Sequence, residues 1–296
     1  MRKSSVILAG GVLILILVVL LGSIAWFSHL RGGDSGLVFG EKVAVVEIKG
    51  IIANAQPTIE NLTEFSEDDS VKAVVLRIES PGGGVAPSQE LYMEVRRTAE
   101  RKPVVASMGS VAASGGYYVA AAAQKIYANP GTITGSIGVI LQFTNFEELF
   151  KKIGFRMETV KSGTYKDVGN PSRKMTPEER AYLQEMIANV HQQFVRDVAQ
   201  GRHMQVEQVQ GVADGRIFTG EQAKELGLVD ELGNLKDAIA AAAKMGAIEG
   251  EPKVVYPEKK KRSVLDYLLN RLSENLVYYL QEYMGLMLLP PVPTLT

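Results

Sequence analysis

The chain has 296 residues, 46% apolar and 22% charged, which is enough for one large α/β domain with appendages and excludes a disordered chain. Its 32 Lys and Arg against 33 Asp and Glu give a formal net charge of −1, so there is no electrostatic footprint for nucleic acid. Without cysteine there is no disulfide, thiolate metal ligand or Cys nucleophile, and the three isolated histidines (His29, His191, His203) form no zinc-binding pair.

In chain order, a short cytoplasmic N-terminus (1–5) precedes an uncharged apolar run from Ile7 to Phe27. At about 1.5 Å per residue, such a helix spans roughly 30 Å of hydrocarbon. Arg2 and Lys3 keep the N-terminus inside the cell and export the rest, and Trp26 fits an interfacial anchor. The run is longer than the apolar core of a cleaved signal peptide and no clear A-x-A site follows it, so an uncleaved anchor over 6–28 is expected. A polar, glycine-bearing linker (29–40) leads to the main folded domain, 41–257.

Lys42 to Ile52, dense in β-branched residues, predicts a buried strand. A helix around 55–68, a strand at 73–78, a glycine loop, a helix from about 87 to 100 and a strand at 104–108 follow. Strand and helix alternate, which predicts a mostly parallel layered sheet with crossover helices. Beyond Ser114 the spacing predicts a helix to about Gln124, short strands at 125–128 and 132–140, a helix at 145–153 and a strand at 156–161. Ser162 to Arg173 is polar and glycine-punctuated, hence a loop. Thr176-Pro-Glu-Glu has the N-cap, N1 proline and acidic first turn of a helix that runs to about Gln200. Helices at 205–212, 219–226 and 235–245 complete the domain. From 258 to 296 a basic run (Lys259-Lys-Lys-Arg262) leads into an amphipathic Leu/Tyr-rich helix and a Pro-rich tail, where contact with anionic lipid or a neighbouring subunit is one reading.

Chemistry concentrates at two strand-to-helix turns. Ser114 follows an apolar strand and precedes Gly115-Gly116, where the backbone turns sharply and free N–H groups meet developing negative charge. A second cluster, Glu79-Ser-Pro-Gly82-Gly83-Gly84, follows another strand and can supply a further oxyanion donor. Together they point to acyl transfer with a serine nucleophile. The histidines are poor bases: His191 sits mid-helix, His203 in a loop, and His29 borders the membrane run. A lysine serves as base only when neutral, which requires burial or nearby positive charge.

Several runs carry a family resemblance: Arg77-Ile-Glu-Ser-Pro-Gly-Gly-Gly84, Ser114-Gly-Gly-Tyr-Tyr, Thr134-Gly-Ser-Ile-Gly138, Ser162-Gly-Thr-Tyr-Lys166, Pro171 to Glu179, and Arg216 to Asp230. In this order, from about residue 42 to 237, they resemble signal peptide peptidase A in its half-length form. The resemblance implies a Clp-protease/crotonase-like repeated ββα fold and a membrane-anchored serine protease with a Ser-Lys dyad, needing no cofactor. It places the nucleophile on Ser114, the general base on Lys166, the lysine-positioning hydroxyl on Ser136 and the oxyanion donors on the N–H groups of Gly83 and Gly115. Lys161 and Lys174 are close in sequence but do not align with the motif. The family often has Asp where this chain has Glu79. The resemblance further implies remnant signal peptides and other small or unfolded polypeptides as substrates, and ring-like homo-oligomers whose sites draw serine and lysine from neighbouring subunits. Two other readings keep the fold: a crotonase-type acyl-CoA enzyme, which an exported domain would not supply with substrate, and a non-catalytic scaffold, which would have no need of the dyad.

Overall fold

Val43 and Val45 point to one buried face and Ala44, Val46 and Ile48 to the other, so β1 (Lys42–Ile52) lies inside a sheet covered on both sides. The computed structural model describes residues 41–258. The expected anchor and linker, and the basic run, helix and tail from residue 259 onward, lie outside the described residues. Among the described residues no helix is long and apolar enough to cross a membrane.

A helix follows each of the first three strands: α1 (Gln56–Glu67) after β1, α2 (Val85–Arg101) after β2 (Val71–Gly83), and α3 (Gly115–Ala120) after β3 (Val104–Ala113). Then come β4 (Lys125–Ala128), β5 (Ile133–Gly135), α4 (Glu147–Lys152) and the long α5 (Pro177–Arg202). The chain closes with α6 (Val206–Gln210), β6 (Ile217–Thr219), α7 (Gly220–Glu225), β7 (Glu231–Leu232), α8 (Leu235–Met245) and β8 (Lys253–Val255). The strand order is β6-β5-β3-β2-β1-β8, with β4 between β3 and β7. Among the described residues only the β5–β6 pair is antiparallel. The result is an α/β fold with a mixed, mostly parallel sheet.

The larger core unites one sheet face with Leu62, Leu91, Val95, Tyr117 and Phe194 from α1, α2, α3 and α5. On the other face α8 packs Ala238 and Ala242 against Val43, Val45, Val75 and Val105. Each buried Val or Leu contributes roughly 1.5–3 kcal/mol relative to exposure, so these two faces hold the strand ends that build the site.

The sheet departs from regularity at one place that matters. Ile78 pairs with Met108 but Ser80 with Ala112, so β3 bulges by two residues relative to β2. Before the bulge β3 pairs with β4 and after it with β5, both on the side away from β2. The Glu79 carboxylate accepts the N–H of Ser110 (2.9 Å) and of Val111 (3.2 Å), residues that the bulge leaves without a partner on β2.

Some expectations are corrected. β2 continues through the glycine cluster because Gly82 and Gly83 still pair with Ile51 and Ile52. The expected strand at 132–140 stops at Gly135, because Ser136 adopts φ 52°. The helix after Ser114 begins at Gly115 and ends at Ala120 rather than Gln124. No strand forms at 156–161; those residues are exposed and pair with no strand among the described residues. β6, β7 and β8, of two or three residues each, are too short to show a period in the sequence.

Candidate active site

Ser114 sits on the turn from β3 into α3 with φ 51° and ψ −119°, a conformation L-residues rarely adopt. It is half-buried, and its N–H donates to the Gly135 carbonyl at 2.8 Å. Ser136, the residue after β5, also has positive φ, and its N–H donates to the Arg216 carbonyl at 2.8 Å. The two serine-bearing turns are thus pinned side by side through the backbone.

The glycines show why the site needs them. A Cβ at Gly82 (φ +102°) would lie 2.6 Å from the Gly115 nitrogen and 2.9 Å from Ser114 Cβ. A Cβ at Gly83 would lie 2.3 Å from the Ile52 carbonyl oxygen, and one at Gly115 would lie 2.4 Å from Ser88 Oγ and 3.2 Å from the Gly83 nitrogen. The two glycine turns therefore meet backbone to backbone beside Ser114. Gly115 opens α3, so helix geometry gives its N–H no partner within the helix.

Ser114, Gly83, Gly115 and Ser88 line a cleft of about 120 Å³, together with Val85, Gln89, Tyr118, Val139, Ile140 and Phe194. Its floor is aromatic and fixed. Tyr118 meets Tyr92 edge to face at 5.2 Å and packs on Phe194 at 4.6 Å, and its hydroxyl donates to Asp197. Burial, and then the Asp197 carboxylate, push the Tyr118 phenol well above its usual range, so it stays neutral. The cleft suits an apolar side chain beside a reacting carbonyl.

Ser114, Gly83, Gly115 and the turn carrying Ser136 come together; Lys166 does not join them within one chain. Among the described residues, no lysine or histidine lines the cleft. Lys166 lies in an exposed turn of the loop before α5, and its ammonium has no partner among the described residues. Its neighbour Lys161 is engaged, donating to Asp167 Oδ1 at 2.5 Å and to the Thr164 carbonyl at 2.9 Å. His191 lies on α5 but not in the cleft, and His203 caps the C-terminus of that helix with φ 53°.

Sequence reasoning missed three contributors. Gly82, rather than Gly83 alone, permits the close approach to Ser114; its signal was the unbroken Gly-Gly-Gly run. Glu79 shows in the sequence only as a replacement for Asp, yet it holds the β3 bulge. Arg173 organises the Lys166 loop, with the Arg-to-Glu179 spacing inside the helix-start motif as the only hint. The Arg173 guanidinium, followed by Thr176 N–H, holds the Glu179 carboxyl at about 2, and Arg173 with Lys161 holds Asp167 well below the usual carboxylate range.

The sequence profile of peptidase family S49 matches residues 96–249. A candidate protease of the archaeon Methanocaldococcus jannaschii is 37% identical over 96% of this chain and 93% of its own. A candidate signal peptide peptidase of Enterococcus faecium is 35% identical over 79% of this chain and 72% of its own. The chloroplastic serine protease SPPA of Arabidopsis thaliana is 37% identical over 80% of this chain, which spans 36% of that longer protein. Among solved structures, a serine-to-alanine variant of the membrane-bound, stomatin-specific protease 1510-N superposes with a TM-score of 0.52 at 17% identity, covering 75% of this chain and all of its own, a likeness of fold. With a profile over half of its length and relatives aligned along most of theirs, the chain belongs to the serine peptidases of family S49.

Proposed function

We propose that the protein is a membrane-anchored endopeptidase of the signal peptide peptidase type, with the Clp-protease/crotonase-like ββα architecture, in which Ser114 attacks and Lys166 is the base. The observation that carries this reading is the strained Ser114 on a strand-to-helix turn, with two glycine turns meeting beside it in an apolar cleft. Strain of this kind persists where function requires it.

In the mechanism, neutral Lys166 Nζ takes the proton of Ser114 Oγ as that oxygen bonds to the peptide carbonyl carbon. The N–H groups of Gly83 and Gly115 receive the oxyanion, and the Ser136 hydroxyl orients the lysine. Collapse breaks the C–N bond, and the ammonium of Lys166 returns the proton to the leaving amine. A water, deprotonated by the same lysine, then cleaves the ester and regenerates Ser114.

Lys166 reaches Ser114 from a neighbouring copy in this reading. Two observations support that: among the described residues the cleft contains no lysine or histidine, and the segment between β5 and α5 exposes Ile140, Ile153, Phe155 and Val160, apolar area of the kind that seeks a partner. Substrates are short or unfolded apolar polypeptides released at a membrane, such as remnant signal peptides, entering as extended chain.

The test is fluorophosphonate labelling with mapping of the modified residue, together with Ser114→Ala, Lys166→Ala and Lys166→Arg. Label on Ser114 and loss of peptidase activity in all three, the Arg variant included because a guanidinium cannot become neutral, is expected. Activity within about tenfold of wild type in either alanine variant sinks the dyad.

A further inference from the structure

A base that acts across a subunit boundary must arrive already placed, because catalytic geometry tolerates only about 0.5 Å of error. Lys166 has nothing of its own to place it: its side chain is exposed and without a partner among the described residues. Whatever fixes its position acts through its chain neighbours.

Arg173 does this with every donor it has. Its Nε donates to Asp167 Oδ2 at 3.0 Å, Nη1 to Glu179 Oε2 at 2.8 Å and to the Lys174 carbonyl at 3.1 Å, and Nη2 to Glu179 Oε1 at 2.5 Å and to the Asp167 carbonyl at 3.2 Å. All five N–H groups are used. The Asp167 carbonyl belongs to the residue next to Lys166. Glu179 is almost fully buried in the first turn of α5 and also accepts the Thr176 N–H at 2.9 Å, so its carboxylate is fixed to the helix. One guanidinium thereby links the backbone beside Lys166 to the end of α5. Two further ties act on the same loop: Lys161 closes it onto Asp167, and Tyr165 stacks on Tyr182 of α5 at 4.9 Å.

We propose that Arg173 is a positioning residue for Lys166, clamping the 161–175 loop onto the first turn of α5 so that the lysine is presented as a preformed arm. This rests on the reading of Lys166 as the base. A lysine cannot replace Arg173, because one ammonium cannot span two carboxylates and two carbonyls in a planar fork.

The experiment uses full-length protein and compares Arg173→Ala, Arg173→Lys and Asp167→Asn with Lys166→Ala, taking Lys224→Ala, which breaks a remote surface pair with Glu231, as control. Arg173→Ala and Arg173→Lys should lose about 10²-fold in kcat with KM little changed, since the cleft beside Ser114 is untouched. Guanidinium ion at low, non-denaturing concentration should restore part of the activity of Arg173→Ala. Such rescue does not follow from lost stability alone. Should Arg173→Ala fail to fold, Asp167→Asn keeps the helix cap and weakens the loop end, where both Arg173 and Lys161 bind; about tenfold loss there, beside Lys161→Ala within about threefold of wild type, supports the clamp. An inactive Lys166→Ala beside folded Arg173→Ala or Asp167→Asn within about threefold of wild type overturns the positioning role and leaves the dyad standing. An active Lys166→Ala overturns the dyad itself, and the clamp with it.

Discussion

Ser114 holds a conformation that costs about 1–3 kcal/mol for a residue with a Cβ, while glycine adopts it freely. Ser114→Gly is therefore expected to be inactive with a Tm equal to or above that of wild type, an outcome opposite to that of ordinary loss of a half-buried side chain. Gly82→Ala should do the reverse, lowering Tm as well as activity, because its Cβ would press within 2.6 Å of the Gly115 nitrogen at φ +102°. Thermal melts beside peptide turnover separate the two; a Tm loss in Ser114→Gly would mean the turn is not strained. The Arg173 network has its own signature in pH. Glu179 and Asp167 both have folded-state values below their unfolded ones, so their stabilisation is complete above about pH 4.5 and fades as pH falls toward 2. Limited proteolysis should find the 161–175 loop equally resistant from about pH 5 to 8 and cut readily by pepsin near pH 2 to 3; uniform susceptibility across that range would remove the clamp's charge pairs from the account.

At the scale of elements, the bulge in β3 decides where Ser114 lands. Glu79→Ala should cut peptidase activity more than tenfold with modest loss of stability, since Ser110 and Val111 lose their acceptor yet can turn to water. Glu79→Asp, one methylene shorter, should fall between, and unchanged turnover in Glu79→Ala would free the bulge from this carboxylate. The elements legible in the sequence were those with a strong local cause. β1 had its unbroken β-branched run, and α5 had a capping box that the structure reproduces with Thr176 and Glu179. What escaped depended on partners distant in the chain: β6 exists because Thr134 meets Phe218, and the continuation of β2 through Gly83 because β1 lies beside it. The expected strand at 156–161 had local propensity but no neighbour to pair with among the described residues. In the site, the paired glycine turns and Ser114 were readable from Gly and Ser spacing, whereas the tie from Arg173 to Asp167 needs the loop's actual path.

For the whole molecule, a cleft without a base and a base without a cleft predict complementation. Mixing Ser114→Ala with Lys166→Ala protein, each inactive alone, should restore peptidase activity once subunits exchange, because some interfaces then pair an intact serine with an intact lysine. Verified mixed assemblies that stay inactive would put both groups in one chain's site. The forked sheet carries a different kind of consequence. β4 and β5 lie in succession along one edge of β3, and the turn between them is locked to the bulge, with Thr132 Oγ1 donating to the Gly109 carbonyl at 2.7 Å and Asn129 Nδ2 to the Met108 carbonyl at 3.4 Å. Two kinks in adjacent strands thus act as matching teeth. Shortening one by a residue would slide Ser114 out of step with Ser136 and turn its side chain to the opposite face, so the lengths of the two segments are free to vary in descent only together.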